Sequence, residues 1–97
     1  MQATLSNGAR KLLHKLGRQS IVVALVETET GDSVGFAREV EVECGFPRDK
    51  GEYYRLKADG VEIFVDPRLK VERTVAIKKQ GFWKLSRLYA DGVRIPL

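Results

Sequence analysis

The sequence predicts an α+β domain that is mostly β, with mixed sheets, two Asp-Gly hairpins and one N-terminal helix. Three observations predict it. A short amphipathic stretch stands near the start, several β-branched or alternating runs follow, and Asp-Gly occurs twice between such runs. Ninety-seven residues suit a single domain spanning 1–97. With 43% apolar and 31% charged residues the composition is that of a folded chain, because a disordered one carries far fewer aliphatics.

Ser6 is placed to cap the helix, since its hydroxyl can accept from the free N–H groups of a first turn. Ala9, Leu12, Leu13 and Leu16 then fall on one apolar stripe, and Gly17 is placed to end the helix in a left-handed conformation. Ile21 to Thr28 is β-branched and apolar on both faces, as an internal strand would be. The polar run Glu27–Ser33 predicts a loop. From Phe36 to Glu43 the pattern alternates, with Val40 and Val42 on one face and Glu39, Glu41 and Glu43 on the other. Cys44–Glu52 holds Gly45, Pro47 and Gly51 and reads as a second loop.

Tyr53–Ala58 and Val61–Val65 flank Asp59-Gly60, which suits the positive φ angles of a type I′ turn. Asp66-Pro67 closes the second of these runs, because proline cannot donate to a ladder. Thr74–Lys78 reads as a short strand. Phe82–Ala90 reads as another, with Asp91-Gly92 turning the chain into Val93-Arg94-Ile95.

The order of these elements resembles the small HesB-like proteins, in particular the CC/Se motif family, a relative of the A-type iron–sulfur carriers. The matching stretches are Leu5-Ser6 with Ala9-Arg10-Lys11, the run Ile21–Val26, and most specifically Gly60-Val61-Glu62-Ile63-Phe64-Val65-Asp66-Pro67-Arg68-Leu69-Lys70. Phe82-Trp83-Lys84-Leu85 matches more loosely. The resemblance implies mixed sheets with one helix packed against them. It also implies a thiol pair, or cysteine with selenocysteine, in the loop after the first long strand. That loop here reads Thr30-Gly31-Asp32-Ser33-Val34-Gly35, so Gly31, Asp32 and Ser33 stand where the motif would lie. The A-type carriers also use a C-terminal Cys-x-Cys pair, and the matching end here is Gly92-Val93-Arg94-Ile95-Pro96-Leu97.

Cys44 is the single cysteine and His14 the single histidine. Iron–sulfur clusters take about four thiolates and structural zinc about four Cys or His ligands, so one chain supplies neither site. No cofactor is therefore expected. His14 reads as a solvent-facing helix residue. Cys44 reads either as a small buried hydrophobe or as a reactive thiol. Ser6, Ser20, Ser33 and Ser86 lie in no nucleophile motif, and Gly31, Gly35 and Gly45 form no phosphate cradle. Nothing in the chain points to an enzyme.

A lone cysteine fits a reducing, cytoplasmic setting. The longest apolar run, Ile21–Val26, is too short for a membrane span of about 20 residues or for a signal peptide. No membrane partner is expected.

The net charge of +4 is segregated. Residues 1–20 hold four basic residues and no acidic one, 27–66 hold five basic and eleven acidic, and 68–94 hold eight basic and two acidic. Either strands of opposite sign neutralise each other within a sheet, or both ends of the chain build a basic face for an anionic partner. Three functions follow from the sequence. The first is an interaction or accessory module of HesB-like fold without the cysteine ligands, its partner being another protein or a second copy. The second is a weak nucleic-acid binder using Lys78, Lys79, Trp83, Lys84 and Arg87, cations interleaved with aromatics. The third is a thiol redox or transfer protein acting through Cys44.

Overall fold

The structure is a computed structural model, and it describes residues 1–29, 36–48, 51–81 and 85–96. The elements run β1 (Gln2–Leu5), α1 (Asn7–Leu16), β2 (Ser20–Glu29), β3 (Phe36–Cys44), β4 (Tyr54–Ala58), β5 (Val61–Val65), β6 (Lys70–Gln80) and β7 (Arg87–Arg94). They form a three-stranded sheet ordered β1-β6-β7 and a four-stranded sheet ordered β3-β2-β5-β4. Both sheets are mixed: β1 runs parallel to β6, and β5 parallel to β2, while the other pairs are antiparallel. Across the molecule β3 lies beside β7, and β4 beside β1. The fold is α+β and mostly β.

The helix forms for the local reasons its sequence supplies. Ser6 stays extended (φ −67°, ψ 162°), and its Oγ accepts from the Ala9 N–H at 3.1 Å. At the other end Gly17 is left-handed, and its N–H and that of Arg18 donate to the His14 and Leu13 carbonyls. Ala9 and Leu13 are fully buried, and Leu12 is half-buried. Leu16, expected on the buried stripe, is 54% exposed instead, as the last residue of the helix. Ser6 also donates its backbone N–H to the Ile77 carbonyl, which pins the start of α1 to β6.

Alternation decides which side chains meet between the sheets. Ile21, Val23 and Leu25 of β2, Val61, Ile63 and Val65 of β5, Val75 and Ile77 of β6 and Leu88 of β7 are all buried. Val40 and Val42 pack against this core from β3, while Glu39, Glu41 and Glu43 are exposed. Each fully buried aliphatic contributes roughly 1.5–3 kcal/mol. The outer face of β2 is also partly covered. Val22 is buried there, and Phe46 reaches Phe64 of β5 with ring centroids 5.7 Å apart.

Several boundaries differ from the sequence reading. β2 continues through Glu27, Thr28 and Glu29, which the polar composition had placed in a loop. These residues pair with Arg38, Ala37 and Phe36, so cross-strand pairing overrides their turn propensity. β1 has no counterpart in the sequence reading, and β6 is twice the predicted length. Leu85, expected within a strand, is 81% exposed, and β7 begins only at Arg87. Phe82 and Trp83 lie outside the described residues.

The two Asp-Gly pairs do different work. Asp59 and Gly60 have φ of 50° and 80° and join β4 to β5, whose residues Ala58 and Val61 are partners. Asp91-Gly92, expected to turn the chain, does not; β7 runs straight through it. Its partners on β6 shift between Val71, opposite Val93, and Ala76, opposite Asp91, so Gly92 alone faces residues 72–75. This is a bulge on β6. Gly92 has φ 82°, and a Cβ there would overlap the Thr74 carbonyl oxygen. A Cβ on Gly60 would meet nothing within 4 Å.

Gly60→Ala is therefore expected to lower stability only by the positive-φ penalty, about 1–2 kcal/mol. Gly92→Ala adds a displaced backbone, about 1–3 kcal/mol more. Urea denaturation of both variants checks this, and equal losses would show that the close approach at Thr74 is not rigid.

Candidate functional site

The loop that the resemblance places at the thiol motif, with Gly31, Asp32 and Ser33, lies outside the described residues. Its stem is described. Glu29 pairs with Phe36 at the base of the loop, and an Arg38–Glu27 ion pair of 3.6 Å lies just below it.

Farther down the stem, β2 is held by the end of the most specific matching stretch. The ladder between β2 and β5 ends at Val23 and Val65, where Asp66-Pro67 follows the strand. Asp66 and Arg68 then take over. The Asp66 backbone N–H donates to Val23 O, and the Asp66 carboxylate accepts from the Leu25 N–H at 3.1 Å. Arg68 donates to the Leu25 carbonyl at 2.9 Å and to both Asp66 oxygens, at 3.1 and 2.8 Å. A carboxylate and a guanidinium thus supply β2 with the acceptor and donor that a further strand residue would have offered.

The clasp also sets the ionisation of its members. The Arg68 side chain, donating to it, holds the Asp66 carboxyl below its ordinary value. Burial pushes the other way, and the backbone N–H groups of Arg68 and Leu25 add to the lowering. The same hydrogen bond pushes the Arg68 guanidinium up. The Asp66 side chain is 3% exposed and that of Arg68 58%. Arg68 therefore keeps one side of its cation toward solvent at the surface.

Cys44 closes β3 opposite Ile21, at the far end of the β2–β3 ladder from the loop. The eight steps from Phe36 to Cys44 span roughly 27 Å at about 3.4 Å per residue. Cys44 is exposed, against the expectation of a small buried hydrophobe. It shares the inward face with Val40 and Val42 and is the last residue of the strand. His14 is exposed on α1. Among the described residues no group of three or more His, Cys, Asp and Glu is arranged to hold a metal ion.

Of the basic and aromatic residues near the C-terminus, Trp83 and Lys84 lie outside the described residues. Lys78 is on the outer face of β6, paired with Asp91 at 3.1 Å. Lys79 is on the opposite face, its stem beneath Gly8 of α1. Arg87 begins β7 on the same face as Lys78 and lines a cleft with Glu39, Glu41 and Tyr89. The three described cations thus do not share one surface.

The structure assembles a different basic site. A groove of about 600 Å³ runs between α1 and the Asp59-Gly60 turn, lined by Arg10, Lys11, His14, Lys15 and Arg18. Leu13 and Val61 form apolar parts of its wall, and Asp59 is its one acidic residue. Arg10 donates to the Asn7 side chain. Among the described residues, none of Arg10, Lys11, Lys15 and Arg18 forms an ion pair, whereas cross-strand pairs such as Arg55–Glu62 at 2.8 Å and Arg94–Glu72 at 4.0 Å offset charge within the sheets. The signal in the sequence was the acid-free segment 1–20; what it could not show was that the Asp59-Gly60 turn lies beside the helix as the second wall.

Asp66→Asn is expected to lower stability at neutral pH by about 1–3 kcal/mol, toward the low end because Arg68 is solvated. A depressed carboxyl stabilises the fold above its unfolded value of about 3.9 and loses that contribution as pH falls through the folded value below it. The gap between wild type and variant should therefore close as pH is lowered from about 4. Urea denaturation across pH 2–7 measures it, and a constant gap would detach the carboxylate's charge from the clasp.

No curated protein and no solved structure matches the chain. The model of the CC/Se motif containing family matches residues 1–93, which takes in every element from β1 to β7 except the last residue of β7. The chain belongs to the CC/Se motif containing family.

Proposed function

We propose that this protein is a non-catalytic interaction module of HesB-like fold that works through its charged surfaces rather than through a thiol. The observation that carries this reading is the position of Cys44. The single thiol stands roughly 27 Å from the base of the loop where relatives place their pair, at the opposite end of the same two strands. A resolving partner or a second cluster ligand would have to come from elsewhere in the chain, and the chain has no other cysteine. The two mixed sheets with one capped helix support the HesB-like reading of the fold. The cations of the α1 groove, in no ion pair among the described residues, and the exposed acidic row of β3 support a role in recognition.

The test compares wild type with Cys44→Ser in two assays: reconstitution with ferrous iron and sulfide, and reduction of a disulfide-bonded peptide by dithiothreitol. The two proteins are expected to behave alike, with no visible absorption band and no acceleration over dithiothreitol alone. A band carrying stoichiometric iron, or a rate in the wild type that Cys44→Ser loses, would replace this reading with thiol chemistry.

A further inference from the structure

The basic groove of α1 and the acidic face of β3 are complementary in charge and in spacing. Within α1 the rise from Arg10 to Lys15 is about 7.5 Å at about 1.5 Å per residue, and Lys11 and Lys15 stand one turn apart, about 6 Å. Glu39, Glu41 and Glu43 occupy alternate positions of β3, about 7 Å apart and about 14 Å from first to last. All three point away from the core and are exposed. β3 is the outermost strand of its sheet, so the row stands at a border and not in the middle of a face. Among the described residues none of the three glutamates is in an ion pair, although Arg87 lines the same cleft as Glu39 and Glu41.

The groove suits a strand better than a phosphate backbone. Its cations all stand on the helix side, while the other wall carries Asp59 and the apolar Val61. A polyanion with charge all around would meet Asp59. A strand with carboxylates on one face only can turn that face to the helix and leave Asp59 unopposed.

We propose that the acidic face of β3 in one copy docks into the α1 groove of a second copy. This deepens the interaction-module reading, on which it rests, by naming the partner. The contact is heterologous: each copy that gives its β3 keeps its own groove free, so association continues into an open chain or closes into a ring. It is also governed by solvated charges, which makes it strong only at low salt. The Debye length falls from about 30 Å at about 0.01 M to about 3 Å at about 1 M.

Sedimentation velocity on the full chain tests this. Wild type is expected to sediment as concentration-dependent oligomers at about 0.01 M salt and as a monomer at about 1 M. Lys11→Ala with Lys15→Ala removes the groove charges, and Glu39→Gln with Glu41→Gln removes the facing row. Each double variant alone is expected to stay monomeric at low salt. Mixed in equal amounts they should form a complex that stops at two copies, since only one intact groove and one intact row remain between them. All four positions are exposed, and circular dichroism confirms that each variant is folded. A wild-type monomer at low salt overturns self-docking, as does association that survives either variant. Loss in the lysine variant alone does the same, because the groove would then hold some other anion. None of these outcomes bears on the thiol comparison, so failure here and failure of the interaction-module reading remain separable.

Discussion

The structure turns on how β2 is satisfied after β5 leaves it. β2 has ten residues, but β5 accompanies it only from Ser20 to Val23. An inner strand abandoned by its neighbour leaves backbone groups without partners, and a buried unpaired group costs about 1–3 kcal/mol. Asp66 and Arg68 prevent that by bonding the N–H and C=O of Leu25 with side chains. The same four residues, 66–69, carry the chain from the four-stranded sheet into β6 of the other. Leu69 is buried, and its N–H donates to the Asp66 carbonyl at 3.0 Å. One short turn therefore completes one sheet and begins the next. The stretch Gly60–Lys70 is one unit for this reason: a turn, a buried strand, a clasp and a crossing.

What could be read from the sequence was what local chemistry decides. Ser6 and Gly17 bound the helix through hydrogen bonds within a few residues, so their types suffice to place it. The alternation Glu39–Glu43 sorts itself between core and solvent on any strand. β1 carries no such signal, because four residues become a strand only through Thr74–Ile77, some seventy positions away. The Asp-Gly pairs make the contrast sharpest. Both place a glycine at positive φ, and the dipeptide reports that much truthfully. Whether the chain then reverses or merely bends around a bulge depends on the opposite strand, and Thr74 lies far from Gly92 in sequence.

The charged surfaces divide along the same line. Opposite charges on neighbouring strands, such as Arg55 with Glu62 and Lys78 with Asp91, meet because register brings them together. Lysines that are consecutive in sequence, by contrast, separate: Lys78 and Lys79 go to opposite faces because strand side chains alternate. A run of basic residues on a strand is thus a poor guide to a basic surface. On a helix, positions three and four apart share a face, and the cations of α1 therefore gather along one groove. The acid-free start of the chain was the better indication of a charged site, and the reason is the period of the element that carries it.

In this member of the CC/Se motif containing family, the described part of the fold is held without its thiol. The buried set, from Ala9 through Leu88, is aliphatic. The helix depends on a serine cap, the crossing on a carboxylate and a guanidinium, and the bulge on a glycine. Cys44 lies exposed at a strand end, and none of these interactions involves it. Among the described residues, the interactions that hold the scaffold together do not involve the thiol. The family match over residues 1–93 thus accompanies a fold whose described contacts are aliphatic, polar and ionic, so a fold-level likeness by itself carries no thiol chemistry.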